Sequence, residues 1–358
     1  MSPCGRVLAL LAALVLVLQA GPETYALDVE ELIAHVEQTE KALGGMTASF
    51  RRSHEKSGGV IFEGEWGRED GKEYVRGWQY TKDPEGGLKR DYEEIRAFDG
   101  EEYRTYWPAE MQGTCEELEN HLDAHAAPAR LLGYSLAADA RTLGALFRSA
   151  KNTEIVSTDS LVEGRLCVEL NCDVPGYVLR PVSAVKRTSA YRPPRVDITD
   201  SGFRLAAALA ETERVPVTQS VKVWFDAERD WRIVQIRWYR DASRQEQGFA
   251  LEKVQLERFG EHYLPVSGVT LSYHTEPVPL DGYTIEQLKT MPEEEAVKHL
   301  RFERVVTGGE GYLITAWNWE TGKDIDDSLF TIKFPVGSDV WDAFNRVRLH
   351  MWEGDVSP

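Results

Sequence analysis

The stretch from Met46 to Trp107 leaves this chain of 358 residues the fewest folds to choose from. It reads as five strand-like runs, "TASFRRSHE", "GVIFEGEWG", "EYVRGWQYTK", "LKRDYEEIRAF" and "EEYRTYWP", broken at Ser57 to Gly59, Asp70-Gly71, Pro84 to Gly87 and Asp99-Gly100. The runs favour aromatic and β-branched residues, and Asp-Gly pairs are strong signals for tight hairpin turns. Consecutive hairpins at this spacing build an antiparallel meander.

A second hairpin, "VKVWFDAERDWRIVQIRWYRD" from 221 to 241, carries large apolar side chains on both faces. Pairing Phe225 with Trp231 across the turn from Asp226 to Asp230 puts Val221, Val223, Phe225, Trp231 and Ile233 on one side. Lys222, Trp224, Arg232, Val234, Ile236 and Trp238 then fall on the other. A sheet with one wet face alternates cleanly, so this ribbon is expected to touch protein on both sides or to offer one side to an apolar ligand. Further strands are read in "TEIVSTDSLVEGRLCVELNC" and "LEKVQLERFGEHYLPVSGVTLSYHTE".

Helices punctuate this pattern. Asp28 is placed to cap a helix running to Leu43, with Glu31 three residues on, a stripe of Val29, Leu32, Ile33, Val36 and Leu43, and Gly44-Gly45 at its end. Residues 115 to 150 are richer in Ala and Leu, and Leu143, Leu146, Phe147 and Ala150 form a second stripe, so one or two helices interrupt the sheet. Residues 281–301 read as two short helices, with capping boxes at Thr284 to Gln287 and Thr290 to Glu293 and Pro292 suited to a first turn.

Ahead of the first helix, Val7 to Leu18 is an unbroken apolar run, well short of the roughly 20 residues that span a bilayer. With Arg6 before it and small residues at Ala20, Thr24 and Ala26 after it, residues 1–26 read as a secretory signal peptide. The remaining chain is expected to be periplasmic or secreted, soluble and without a transmembrane segment. Its net charge of -18 argues against nucleic acid or an anionic membrane surface as a main partner. Residues 178–204, containing "YRPPR", invert that balance and read as a basic inserted loop. Three cysteines, Cys115, Cys167 and Cys172, follow the apolar run. Cys167 and Cys172 are too far apart along a strand to bridge, so any disulfide is expected between Cys115 and one of them.

Signatures of catalysis are missing: no G-x-S-x-G elbow, phosphate-binding glycine loop or H-E-x-x-H occurs, and no cofactor is implied. In "CEELENHLDAH", His121 and His125 lie four apart after Cys115, a spacing that two surface histidines on an ordinary helix also show. No metal and no catalytic residue is assigned from this.

Aromatic rings dominate instead. Each can bury about 150 to 250 Å², so they either fill a core or line a cavity for an alkyl chain. The candidate ligand-binding residues are Phe62, Trp66, Trp78, Tyr80, Phe98, Phe225, Trp231 and Ile233.

The order of these features resembles the LolA/LolB-like lipoprotein-sorting carriers. The resemblance rests on the signal peptide, the capped helix from Asp28 to Leu43, "MTASFRRS" entering the meander, "FDGEEYRTYWP", the helical interruption, and "VWFDAERDWRIVQIRWY" followed by "FGEHYLPVSGVTLSY". It implies a mainly β fold with some α, a curved antiparallel incomplete β-barrel plugged by helices, with an apolar cavity between them for lipid or lipoprotein acyl chains and no chemistry. The expected organisation is a half-barrel domain over 27–280, a helical connector over 281–301 and a C-terminal β-rich extension over 302–358. A rival reading is an envelope sensory or protein-interaction module on the same scaffold, using the basic loop to meet a protein partner.

Overall fold

The computed structural model describes residues 27–82, 86–117, 127–134, 142–181, 212–240, 243–244, 247–280, 282–306, 309–342 and 347–350. The signal peptide and His121 and His125 lie outside these residues, as does the basic stretch from 182 onward.

The chain is mainly β, in one large curved and unclosed sheet. The first meander is present as expected: β1 (Gly45–His54), β2 (Val60–Glu69), β3 (Lys72–Lys82), β4 (Leu88–Phe98) and β5 (Glu102–Trp107), extended by β6 (Gln112–Glu117). Each strand pairs antiparallel with the next. The two Asp-Gly turns work as read, with Asp70 at φ 48° and Gly71 at φ 82°, and Gly100 at φ 105°. Cys115 sits in β6, so the stretch read as the helical interruption from residue 115 begins as strand through Glu117.

A second meander runs through β7 (Lys151–Val162), β8 (Arg165–Pro181), β9 (Thr212–Asp226), β10 (Arg232–Tyr239), β11 (Gln247–Phe259) and β12 (His262–Pro279). Strand β8 takes in residues 178–181, where the inserted loop was expected to begin, and Pro181 pairs with Thr212.

The tail departs most from expectation. After the short helices α4 (Ile285–Thr290) and α5 (Glu293–Ala296), β13 (Leu300–Val306) pairs on β12. Strand β14 (Tyr312–Lys323) then inserts between β1 and β12, pairing antiparallel with both. The sheet order is β16-β15-β6-β5-β4-β3-β2-β1-β14-β12-β11-β10-β9-β8-β7. Thus the 302–358 segment, read from the sequence as an extension, supplies the strand that joins the two meanders. Strand β15 (Asp339–Asp342) adds to β6 in parallel, so the sheet is antiparallel except at this end, and β16 (Val347–His350) finishes it.

Three helices pack on the concave face. α1 (Val29–Leu43) is capped by Asp28, whose carboxylate accepts the Glu31 N–H at 2.8 Å, and it ends at Gly44 with φ 57°. Its stripe of Leu32, Ile33, Val36 and Leu43 is buried. α2 (Ala127–Leu131) and α3 (Leu143–Ser149) join it, with Leu131, Leu146 and Phe147 in the same cluster. Among the described residues, α4 carries a complete capping box at Thr284 and Gln287.

The cysteines form no bridge among the described residues. Cys115, Cys167 and Cys172 are all thiols. Cys172 packs with the core under the helices, while Cys167 belongs to a separate cluster on the opposite face.

Candidate functional site: the concave face beneath the helices

Cross-strand partners share a face, so the register fixes what the helices cover. On β1 to β5 the rows are Arg52–Phe62–Gln79, Phe50–Gly64–Gly77–Glu94, Ala48–Trp66–Val75–Arg96–Thr105 and Met46–Arg68–Glu73–Phe98–Tyr103. Apart from Phe98 and Tyr103, the apolar members of these rows belong to the cluster that α1 buries, which continues through Ile314 and Ala316 of β14 into the second meander. There the covered face is mostly apolar, with Val168, Leu170, Val221, Val223, Phe225 and Ile236, and Gln219 and Thr270 are buried in the same rows. One half of the concave surface is therefore predominantly hydrocarbon, and the other mixes rings with arginine and glutamate.

The hairpin from 221 to 241 pairs differently from the sequence reading. Ile233, not Trp231, faces Phe225, and a bulge between Ile233 and Gln235 shifts the register. Ile236 then faces Val223 and Trp238 faces Val221. An extra residue on one strand transfers everything beyond it to the other face, so Ile236 and Trp238 join the helix-covered side. Val234, at the bulge, stays outside with Trp224, where both pack with Val162 and Cys167. The ribbon has two apolar faces because each meets protein.

Of the candidate residues, Phe62, Trp66, Phe225 and Ile233 come together in the buried cluster. Phe62 stacks on Phe50 at 5.4 Å, Trp66 meets Trp319 edge-on at 5.8 Å, and Phe225 meets Phe147 of α3 at 5.7 Å. Trp231 lies in the β9–β10 turn, where it stacks on His35 of α1 at 4.6 Å. Phe98 is on the concave face but packs aside with Tyr103. Trp78 and Tyr80 are on the convex face, since Gln79 between them is the residue that faces Phe62. Arg90 lies over the Trp78 ring and donates to the Tyr80 hydroxyl at 3.2 Å.

Polar links hold the plug in place. Glu40 of α1 accepts the Leu143 and Gly144 N–H groups, each at 2.9 Å, where α3 begins. This places a carboxylate against unpaired amides at the positive end of a helix, a favourable arrangement. Thr142 caps the same end through the Ala145 N–H. Gly144 is needed for the approach, because a Cβ there would lie 2.2 Å from Glu37 Cγ. Thr39 donates to the Asp230 carbonyl at 3.1 Å, tying α1 to the β9–β10 turn. Tyr134, just past α2, sits against the Arg68 guanidinium at 4.0 Å, and burial pushes its phenol well up, with the Glu40 charge adding to the rise.

A cavity of about 20 Å³ remains between Val36, Glu40, Tyr134, Phe225, Trp231 and Arg232. A site needs about 10–15 Å³ to hold one water, so with the helices seated this space takes a water and not an alkyl chain. Among the described residues, no three His, Cys, Asp or Glu side chains converge as a metal site would require.

The sequence reading missed the charged residues of this face. Arg52, Arg68 and Arg96 share strand parity with Phe50, Trp66 and Phe98, and that parity was the available signal.

No family model matches the chain, and no curated protein matches it in sequence. The chain is similar in structure to a DUF1329 family protein from Desulfovibrio piger, at 9% identity and TM-score 0.44, covering 85% of this chain and 95% of that one. A putative outer membrane lipoprotein-sorting protein domain from Vibrio parahaemolyticus aligns at 7% identity and TM-score 0.43, covering 85% and 97%. A LolA superfamily protein from Nitrosomonas europaea aligns at 9% identity and TM-score 0.41, covering 86% and 99%.

Proposed function

We propose that the protein is an exported, non-enzymatic carrier that binds lipid or lipoprotein acyl chains non-covalently beneath its helices. The observation that carries this reading is an unclosed curved sheet whose concave hydrocarbon half is covered by a separate, amphipathic helical plug and not by a second sheet. Among the described residues no helix is long and apolar enough to cross a membrane, and the apolar run at Val7 to Leu18 supplies the export signal.

Magnitudes make plug exchange workable. Withdrawing Leu32, Ile33, Val36 and Leu43 from the sheet costs about 6 to 12 kcal/mol, at about 1.5–3 kcal/mol per buried side chain. An acyl chain of about 14 methylenes burying itself in their place contributes about 11 kcal/mol. The two nearly cancel, so the plug closes over an empty face and yields to a chain. The polar ties through Glu40 and Thr39 set how readily it does so.

A bromine-labelled fatty acid tests this reading, because bromine quenches tryptophan at contact and Trp66 and Trp319 lie in the covered cluster. Saturable quenching is expected, lost when α1 is cross-linked to the β9–β10 turn. Absence of quenching at saturating fatty acid, with the fold intact, refutes it.

The filled interior favours a second reading on the same scaffold, an envelope sensory or interaction module that meets a protein partner without carrying lipid. That module predicts no quenching in either form of the protein.

A further inference from the structure

The concave face of β1 to β5 collects charge in an unusual way. Arg52, Arg68 and Arg96 project from its rows and Arg130 comes from α2 above them, while the buried carboxylates on those rows are Glu73 and Glu94. In a chain of net charge -18 this inverts the overall balance.

The two carboxylates are already engaged. Glu73 lies 3.4 Å from Arg68, and Glu94 pairs with Arg96 and accepts from Gln79 at 3.2 Å. Arg52 has neither. Its Nε is sealed from solvent with no hydrogen-bond partner, and its guanidinium leans on the Tyr312 ring at 5.4 Å. Burial lowers its affinity for its proton and the positive charges of Arg130 and Arg96 lower it further, while Tyr312 and the Glu94 charge offset only part of this.

A sealed Nε–H without an acceptor is costly, and like charges nearby add to that cost. An anion accepting from Arg52 relieves both at once, and the planar guanidinium fork suits the oxygens of a carboxylate or phosphate. Arg52 stands in a row with Phe62 and pairs with Ile314 of β14. The donor therefore borders the hydrocarbon half of the face.

We propose that Arg52 and the arginines beside it receive the anionic head group of an amphiphile whose alkyl chain lies on the adjoining apolar strands. This rests on the carrier reading and narrows its cargo to anionic amphiphiles. The head group is a carboxylate or a phosphate, since the recognising chemistry is common to both.

The test measures Kd by tryptophan fluorescence for dodecyl phosphate, dodecanoate and neutral dodecyl maltoside, each below its micelle-forming concentration. At least one anion is expected to bind 10-fold or more tightly than the maltoside. A several-fold preference for dodecyl phosphate over dodecanoate identifies a phosphate head group, and equal affinity means that a carboxylate suffices. Arg52→Met is expected to cost the anion at least 10-fold and to leave the maltoside unchanged, with Arg52→Gln as the second variant should the first fail to fold. Maltoside binding as tight as the anions, or anion affinity unaltered in the folded variant, overturns the proposal while leaving the carrier reading standing. Failure of all three probes to bind removes the carrier reading and this inference with it.

Discussion

Single side chains report where the sheet is sealed. Burial pushes the Cys167 thiol up to about 11 and the Cys172 thiol up to about 12. Thiolates, not thiols, attack disulfide reagents, so at pH 8 a thiol titration is expected to show Cys115 reacting fast and the other two only on unfolding. Fast reaction of two or three thiols in the folded protein contradicts this packing. On the convex face, burial pushes the Glu169 carboxyl up, but hydrogen bonds from Lys222, Ser160 and Trp224 outweigh it and hold the group below its ordinary value. A depressed carboxyl contributes stability that is present above its unfolded pKa and lost as pH falls through the folded one. Melting temperature followed down from pH 6 is therefore expected to drop less steeply in Glu169→Gln than in the parent, and parallel curves refute the assignment. At this scale the sequence was a partial guide. Alternation marked Phe62, Trp66 and Ile233 as strand residues of one parity but could not separate them from Trp78 and Tyr80, because only register decides which parity faces inward.

Among the elements, the helices and the first meander were legible because their signals are local. Asp28, Gly44 and the Asp-Gly turns act within a few residues of chain. The bulge at Val234 was not, since nothing in "WRIVQIRWY" marks where one residue is extra, and it moved Ile236 and Trp238 to the helix-covered face. The same contrast governs the plug, whose parts are helical for local reasons but are joined by contacts far apart in sequence. Glu40 binds α3 across more than a hundred residues of chain. Glu40→Gln keeps one of the two acceptors, turns an NH2 toward the other N–H and removes the charge from the α3 N-terminus, an effect of about 1 kcal/mol or more. Hydrogen exchange is expected to quicken over α1 and α3 by about fivefold, with β8 to β11 unchanged. Equal acceleration in sheet and helices means that Glu40 supports the whole fold and is no tie of the plug.

At the level of the whole molecule, two meanders share a sheet through one strand. β14 lies between β1 and β12, so the first hundred residues and the stretch from 151 to 280 are joined through chain that comes after both. The sequence could not show this, because long-range pairing leaves no local mark and the segment after 302 reads as self-contained. Truncation after residue 280 is expected to leave β1 and β12 with open edges and to give aggregated protein. A soluble, cooperatively melting 27–280 fragment contradicts this role for β14. The central claim is that the helices cover a face made for an acyl chain. Native mass spectrometry with organic extraction, on protein purified gently from the periplasm of an expressing cell, addresses it most directly. A stoichiometric lipid or acylated-peptide adduct is the predicted result, while clean apo protein that also takes up no added fluorescent fatty acid contradicts the account.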